Sequence, residues 1–255
     1  MRSTIIFALL AIAFAVAGTS RALSPSSGRI LGGEDVASDQ FTFAASVRLD
    51  NAHVCGGSIV GEGKILTAAH CVIDDNNQVV ASGRVSVRVG SVNQFAGGRI
   101  VYVADIAVHP SYEYIRNDIA VLTLSSALVA SDKLSIIALA TSADQEPPVG
   151  AEITVAGWGE QSSGTTPYKL QSTTFTVASD EVCSNGYAGN DETTFCLAHS
   201  LKQGSCTGDA GNGAVYNNRL VGVSSFVVGA CGSRYPDVFA NVTHFAEWIQ
   251  IQLWI

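Results

Sequence analysis

The sequence predicts an all-β fold that ends in one helix. Three observations carry this. From Phe41 onward the apolar runs are short and are cut by Gly, Asn and Ser. Val85, Val87 and Val89 alternate with Ser86 and Arg88, the period of two expected of a half-buried strand. Helical periodicity stands out only at the end, where Phe245, Trp248, Ile249 and Leu253 fall on one face. Many short strands with turn signals between them indicate an all-β architecture. The chain has 255 residues, 47% apolar and 14% charged, enough to fill one large domain or two small ones.

In chain order, residues 1–22 read as a secretory leader rather than as structure. Arg2 gives a basic start, Ile5 to Ala17 is uninterrupted apolar sequence, and Ser20-Arg21-Ala22 fits a small-x-small cleavage site. The apolar run is too short to span a membrane comfortably, and no later run is longer. Residues 23–29 read as a short activation propeptide that ends at a cleavage point after Arg29, and 30–255 as the folded domain. Strands are expected at Phe43 to Leu49, Gly57 to Val60, Lys64 to Thr67 and Val85 to Val89. Further strands are expected at Ile100 to Val103, Ile119 to Leu124, Ile153 to Gly157 and Leu220 to Ser224. The C-terminal stripe is expected to dock on the core. No internal repeat or low-complexity segment is evident.

Charge and cysteine usage narrow the function classes. Residues 1–29 hold three arginines and no acid, so the rest carries 11 basic against 22 acidic residues. That balance disfavours nucleic acid, whose phosphates want a basic face. Six cysteines behind a secretory leader suggest disulfides, and six can pair in fifteen ways. No Cys-x-x-Cys occurs, and the five histidines (53, 70, 109, 199 and 244) lack metal-binding spacing, so no metal or cofactor is expected.

Several motifs then occur in order. They are Arg29-Ile30-Leu31-Gly32-Gly33, Cys55-Gly56-Gly57-Ser58, Thr67-Ala68-Ala69-His70-Cys71 and Arg116-Asn117-Asp118-Ile119-Ala120. Gly157-Trp158-Gly159 and Gly204-Ser205-Cys206-Thr207-Gly208-Asp209-Ala210-Gly211-Asn212-Gly213 follow. Together they resemble the chymotrypsin/trypsin family of serine proteases over residues 30–255, in the manner of the arthropod single-domain members. The resemblance implies two six-stranded antiparallel barrels with a site in the cleft between them. It also implies the disulfides 55–71, 183–196 and 206–231. Cleavage after Arg29 would free the ammonium of Ile30 to pair with buried Asp209. His70 would be a general base, Asp118 its orienter, and the N–H groups of Gly208 and Ala210 an oxyanion hole.

The resemblance breaks at one atom group. The family's loop reads G-D-S-G-G-P, and this chain has Ala210 where the nucleophilic serine stands, then Asn212 and Gly213 for the second glycine and the proline. Three neighbouring departures point to natural drift rather than to one engineered change. The specificity pocket departs as well. Gly204 replaces the trypsin floor aspartate, and Asp237 stands where crab collagenolytic members place their pocket acid. Ser225-Phe226-Val227 forms the expected wall, with Val227 narrowing the mouth. Asp237 has two readings, a ligand for a basic side chain or a floor group bonded to backbone and water.

The calcium loop of trypsin-like enzymes wants carboxylates, and no Asp or Glu lies between Asp75 and Asp105. Asn241-Val242-Thr243 is a glycosylation sequon. The expected function is a secreted, monomeric, non-catalytic protease homologue. Its partners would be proteins or peptides, other proteases and protease inhibitors among them, and it would act as a cofactor, decoy or regulator. The alternative is an active secreted endopeptidase in which Ala210 is an anomaly. A purely structural extracellular protein ranks last, since no repeat or adhesive motif supports it.

Overall fold

The computed structural model describes residues 31–144, 146–161 and 164–255. Arg29, Ile30 and the leader therefore lie outside the described residues. Six strands form the first half: β1 Ala44–Leu49, β2 Ala52–Gly61, β3 Lys64–Thr67, β4 Val85–Val89, β5 Arg99–Val108 and β6 Ala120–Leu124. They close into an antiparallel barrel in the order β1-β2-β3-β6-β5-β4. The second half has β7 Glu152–Gly157, β8 Gln171–Val177, β9 Thr194–Ala198, β10 Gly213–Tyr216, β11 Arg219–Phe226 and β12 Asp237–Asn241. These run β7-β8-β9-β12-β11-β10, and β10 returns to β7, which closes a second six-stranded ring. The second strand order is the first one advanced by six. The halves share a topology although the sequence shows no repeat, because barrel closure constrains pattern and twist rather than residue identity.

Alternation drives closure. In β4, Val85, Val87 and Val89 are buried against Val47, Ile59, Ile65 and Leu122 of the first core. Ile153, Val155, Phe175, Leu197, Val221 and Phe239 fill the second core. The stripe noted at the C-terminus forms α2, Val242–Trp254, and buries Phe245 and Ile249. Asn241 caps this helix, its Oδ1 accepting from the Thr243 and His244 N–H groups at 3.1 and 3.5 Å. The sequon asparagine is thus half-buried, and its Nδ2 donates to the Glu192 carbonyl at 3.3 Å.

A second helix, α1 Asp180–Gly186, was not expected from periodicity. Seven residues are too few to show a stripe. Its cues are local: Ser179 caps the Val182 N–H, and Asp180 and Glu181 sit in the positive first turn. Cys183 anchors it to β9 through Cys196. Trp158 is buried between the barrels, and its Nε1 donates to the Val92 carbonyl at 2.9 Å.

Candidate functional site

Each barrel contributes one side of a cleft. His70 sits on a single 3-10 turn, Ala69–Val72, directly after β3. The Cys55–Cys71 disulfide ties that turn back to β2. Asp118 precedes β6 by two residues and is 2% exposed. A buried carboxylate must be bonded on every side, and three groups meet this one. The His70 N–H donates to Oδ1 at 2.9 Å, His70 Nδ1–H to Oδ2 at 2.7 Å, and the Ser225 hydroxyl to Oδ2 at 2.5 Å. Fixing the proton on Nδ1 leaves the lone pair on Nε2, the arrangement a general base needs. Burial alone would lower the His70 pKa, but the hydrogen bond and charge of Asp118 override it, and the net direction is up.

The Gly204–Gly213 loop lies between β9 and β10. Three short bonds set its path. Gly56 N–H donates to the Ala210 carbonyl at 2.7 Å, Gly211 N–H to the Ser224 carbonyl at 2.7 Å, and Ser224 N–H to the Asn212 carbonyl at 2.8 Å. Gly211 has φ +84°, and a Cβ there would lie 2.3 Å from the Gly56 carbonyl oxygen. No other residue fits that position. The Cys206–Cys231 disulfide ties the loop to the opposite wall. His70, Gly208, Ala210, Ser225 and Val227 all line one cleft of about 440 Å³. The structure thus assembles the positions that the motifs marked separately.

Asp209 turns away from the cleft and is buried. Its carboxylate accepts from Gly159 N–H at 2.8 Å, Cys206 N–H at 3.0 Å and Asn212 Nδ2 at 3.0 Å. Burial pushes its pKa up to about 7, against the pull of these donors. Asn212 therefore acts as a strut to this carboxylate. Room for its side chain exists because its neighbours are glycine: a Cβ on Gly56 or Gly157 would sit 1.8 or 1.9 Å from it.

The other face of the loop rests on His53. Its Nε2–H donates to the Gly208 carbonyl at 3.1 Å, so its Nδ1 accepts from the Ser46 hydroxyl at 2.8 Å. That pattern requires a neutral ring, and burial pushes the pKa down to about 4. The unfolded chain takes up this proton near pH 6.5, but the native state resists until about pH 4. The stabilising effect is complete above pH 6.5 and is lost as pH falls through that window, by about 3 kcal/mol. Asp209 titrates with the opposite sign over a similar range. We therefore expect the difference in unfolding free energy between the protein and His53→Gln to shrink by that amount between pH 7 and pH 4. Equilibrium denaturation at several pH values measures it.

Two expected pocket residues lie elsewhere. Asp237 is 2% exposed and, like Gly204, does not line the cleft. Its Oδ2 accepts the Ser205 N–H at 2.6 Å, and its Oδ1 pairs with His199 Nε2 at 3.2 Å. Of the two readings of Asp237, the group bonded to backbone fits these contacts, with His199 as a further internal partner. Ser225 lines the cleft but commits its hydroxyl to Asp118. Gly204, at φ +120°, passes so close that a Cβ would be 2.8 Å from His199 Nε2. An aspartate there is sterically excluded. Gly204→Ala is expected to destabilise by about 2–3 kcal/mol through strain and overlap, as read by chemical denaturation.

Sequence reasoning missed His199, which was weighed only for metal spacing. The available signal was Asp237 itself, an acid leading into apolar Val238-Phe239-Ala240 and in need of a partner. Among the described residues, one cluster of metal-ligating atoms occurs, Cys55, His70 and Cys71, and its two sulfurs are spent in the disulfide.

Comparison with known proteins agrees with this geometry. The family model described as Trypsin matches residues 30–249. The chain is 36% identical over 236 residues to serine protease SP24D of Anopheles gambiae, covering 91% of this chain and 85% of that one. It is 36% identical over 254 residues to trypsin alpha of Drosophila erecta, covering 96% of each. Among solved structures, it resembles neuropsin, a serine protease of mouse brain, with a TM-score of 0.77 and 25% identity, covering 87% of this chain and 98% of that one. The family model spans most of the chain and the relatives match along its length, so the chain belongs to the trypsin family of serine proteases.

Proposed function

We propose that this protein is a secreted trypsin-family homologue that holds peptide or protein segments in its cleft without cutting them. The observation that carries the reading is Ala210. It lines the cleft with His70, at the position of the family's nucleophile, and a methyl group cannot attack a carbonyl. In this reading, His70 and Asp118 are a retained base and orienter with no proton to take. The N–H groups of Gly208 and Ala210 are an oxyanion hole that polarises a bound carbonyl. Losing the serine of a convergent protease lowers the rate by about 10⁶-fold, which leaves no useful hydrolysis.

The role that follows is a cofactor, decoy or regulator of active proteases, with proteases, their inhibitors or peptides as partners. Secretion rests on residues 1–22. Among the described residues, no helix is long and apolar enough to cross a membrane. Cleavage after Arg29, docking of Ile30 on Asp209, and a glycan on Asn241 complete the reading.

The test is a binding and recovery experiment on the secreted chain. Immobilised protein is exposed to fluorescent unfolded casein, and the bound material is eluted and sized. Saturable binding with intact recovery supports the proposal. Fragmentation by material free of other proteases overturns it and favours the alternative of an active endopeptidase.

A further inference from the structure

Behind the cleft lining, bonded to the Ser205 N–H, lies a buried pair that does not itself line the cleft. His199 and Asp237 have side chains only 1% and 3% exposed. The protonation of this pair follows from its partners. His199 Nδ1 faces the Ser200 carbonyl at 3.0 Å, and Nε2 faces the Asp237 carboxylate at 3.2 Å. Both are acceptors, so both ring nitrogens donate and the ring is an imidazolium. Asp237 then spends one oxygen on that cation and the other on the Ser205 N–H. Its charge is compensated on the spot.

What remains toward the cleft is neutral. Among the described residues, none that lines it is acidic. The wall is Phe226, Val227 and the Cys206–Cys231 disulfide, and among the described lining residues Ser205 is the one with a buried, unpartnered hydroxyl. Ser205 lines the cleft, is 4% exposed, and its Oγ is buried without a hydrogen-bond partner. A buried hydroxyl with no partner is unfavourable, and a ligand group reaching it would relieve that. A cation entering the same pocket would lose its water and find no free carboxylate.

We infer that His199 sets the specificity of the cleft: by sequestering Asp237 it selects a neutral side chain with an apolar body and a hydrogen-bonding tip that reaches Ser205, and it rejects lysine and arginine. This rests on the cleft being a binding site, as proposed above, and names what that site accepts.

Benzamide and benzamidine test it, since they share a shape and differ in charge. Their affinities for the full secreted chain are measured by ligand-observed NMR or calorimetry. Benzamide is expected to bind about tenfold or more tighter than benzamidine. Ser205→Ala is expected to weaken benzamide about two- to tenfold. His199→Gln removes the compensating charge and keeps a donor toward Asp237, so it is expected to reverse the preference. Benzamidine binding the unaltered protein at least as tightly as benzamide overturns the inference and leaves the binding role standing. An undiminished benzamide affinity in Ser205→Ala also overturns it. Failure of both compounds to bind overturns the inference together with the reading of the cleft as a ligand site.

Discussion

Ala210→Ser, once cut after Arg29, is expected to gain hydrolysis of peptide substrates by a factor approaching 10⁶, about 8 kcal/mol of barrier. His70 and Asp118 are already paired, and residue 210 already lines their cleft. Asp118 holds the His70 proton on Nδ1 through contacts at 2.7 and 2.9 Å, so Nε2 is free to take a proton from a serine at 210. The loop carrying residue 210 is pinned by Gly56, Ser224 and a disulfide, and none of these contacts uses the Ala210 side chain. Asn212, which departs from the family's loop, is accommodated. Asn212 fits between Gly56 and Gly157 and braces Asp209. Peptidase assays and active-site titration of the variant measure the gain. A correctly folded, cleaved Ala210→Ser that stays inert would mean that Asn212, Gly213 or Val227 has disabled the site independently.

The second large effect is on stability. Asp237→Ala is expected to destabilise by about 3–5 kcal/mol, because it strands a buried imidazolium at His199 and orphans the Ser205 N–H. In a domain of this size that corresponds to a Tm lower by roughly 10 °C. The imidazolium itself has a pH signature. Burial lowers the His199 pKa, but its bonds to Asp237 and the Ser200 carbonyl raise it above the ordinary value. Its stabilising effect is therefore full below about pH 6.5 and is lost as pH rises through the raised pKa. Calorimetry on both proteins at pH 6 decides the matter. A loss under 1 kcal/mol would show that the pair is not an ion pair in solution.

Much of this molecule was legible in the sequence because its chemistry sits in contiguous motifs. His70 lies inside Thr67-Ala68-Ala69-His70-Cys71 and Asp118 leads into an apolar strand, so both could be marked and joined by resemblance. The strands of the first barrel were readable because their faces alternate, as in Val85 to Val89. Those of the second barrel were less so. Gln171–Val177 is rich in Thr and Ser, and Gly213–Tyr216 is four residues long. Neither offers enough apolar contrast to show a period. Side-chain bonding across long separations was not legible. Ser225 meets Asp118 over 107 residues and His199 meets Asp237 over 38, so each polar residue's partner depends on barrel closure, which local pattern does not encode.

The central claim is that this cleft lacks a nucleophile. It is tested most directly by intact-mass spectrometry of the purified protein, cleaved after Arg29 and incubated with a fluorophosphonate, which phosphonylates activated serines with loss of fluoride. The account predicts an unchanged mass, with Ala210→Ser as the positive control. A stoichiometric adduct on the unaltered chain, mapped to any residue lining the cleft, would contradict it.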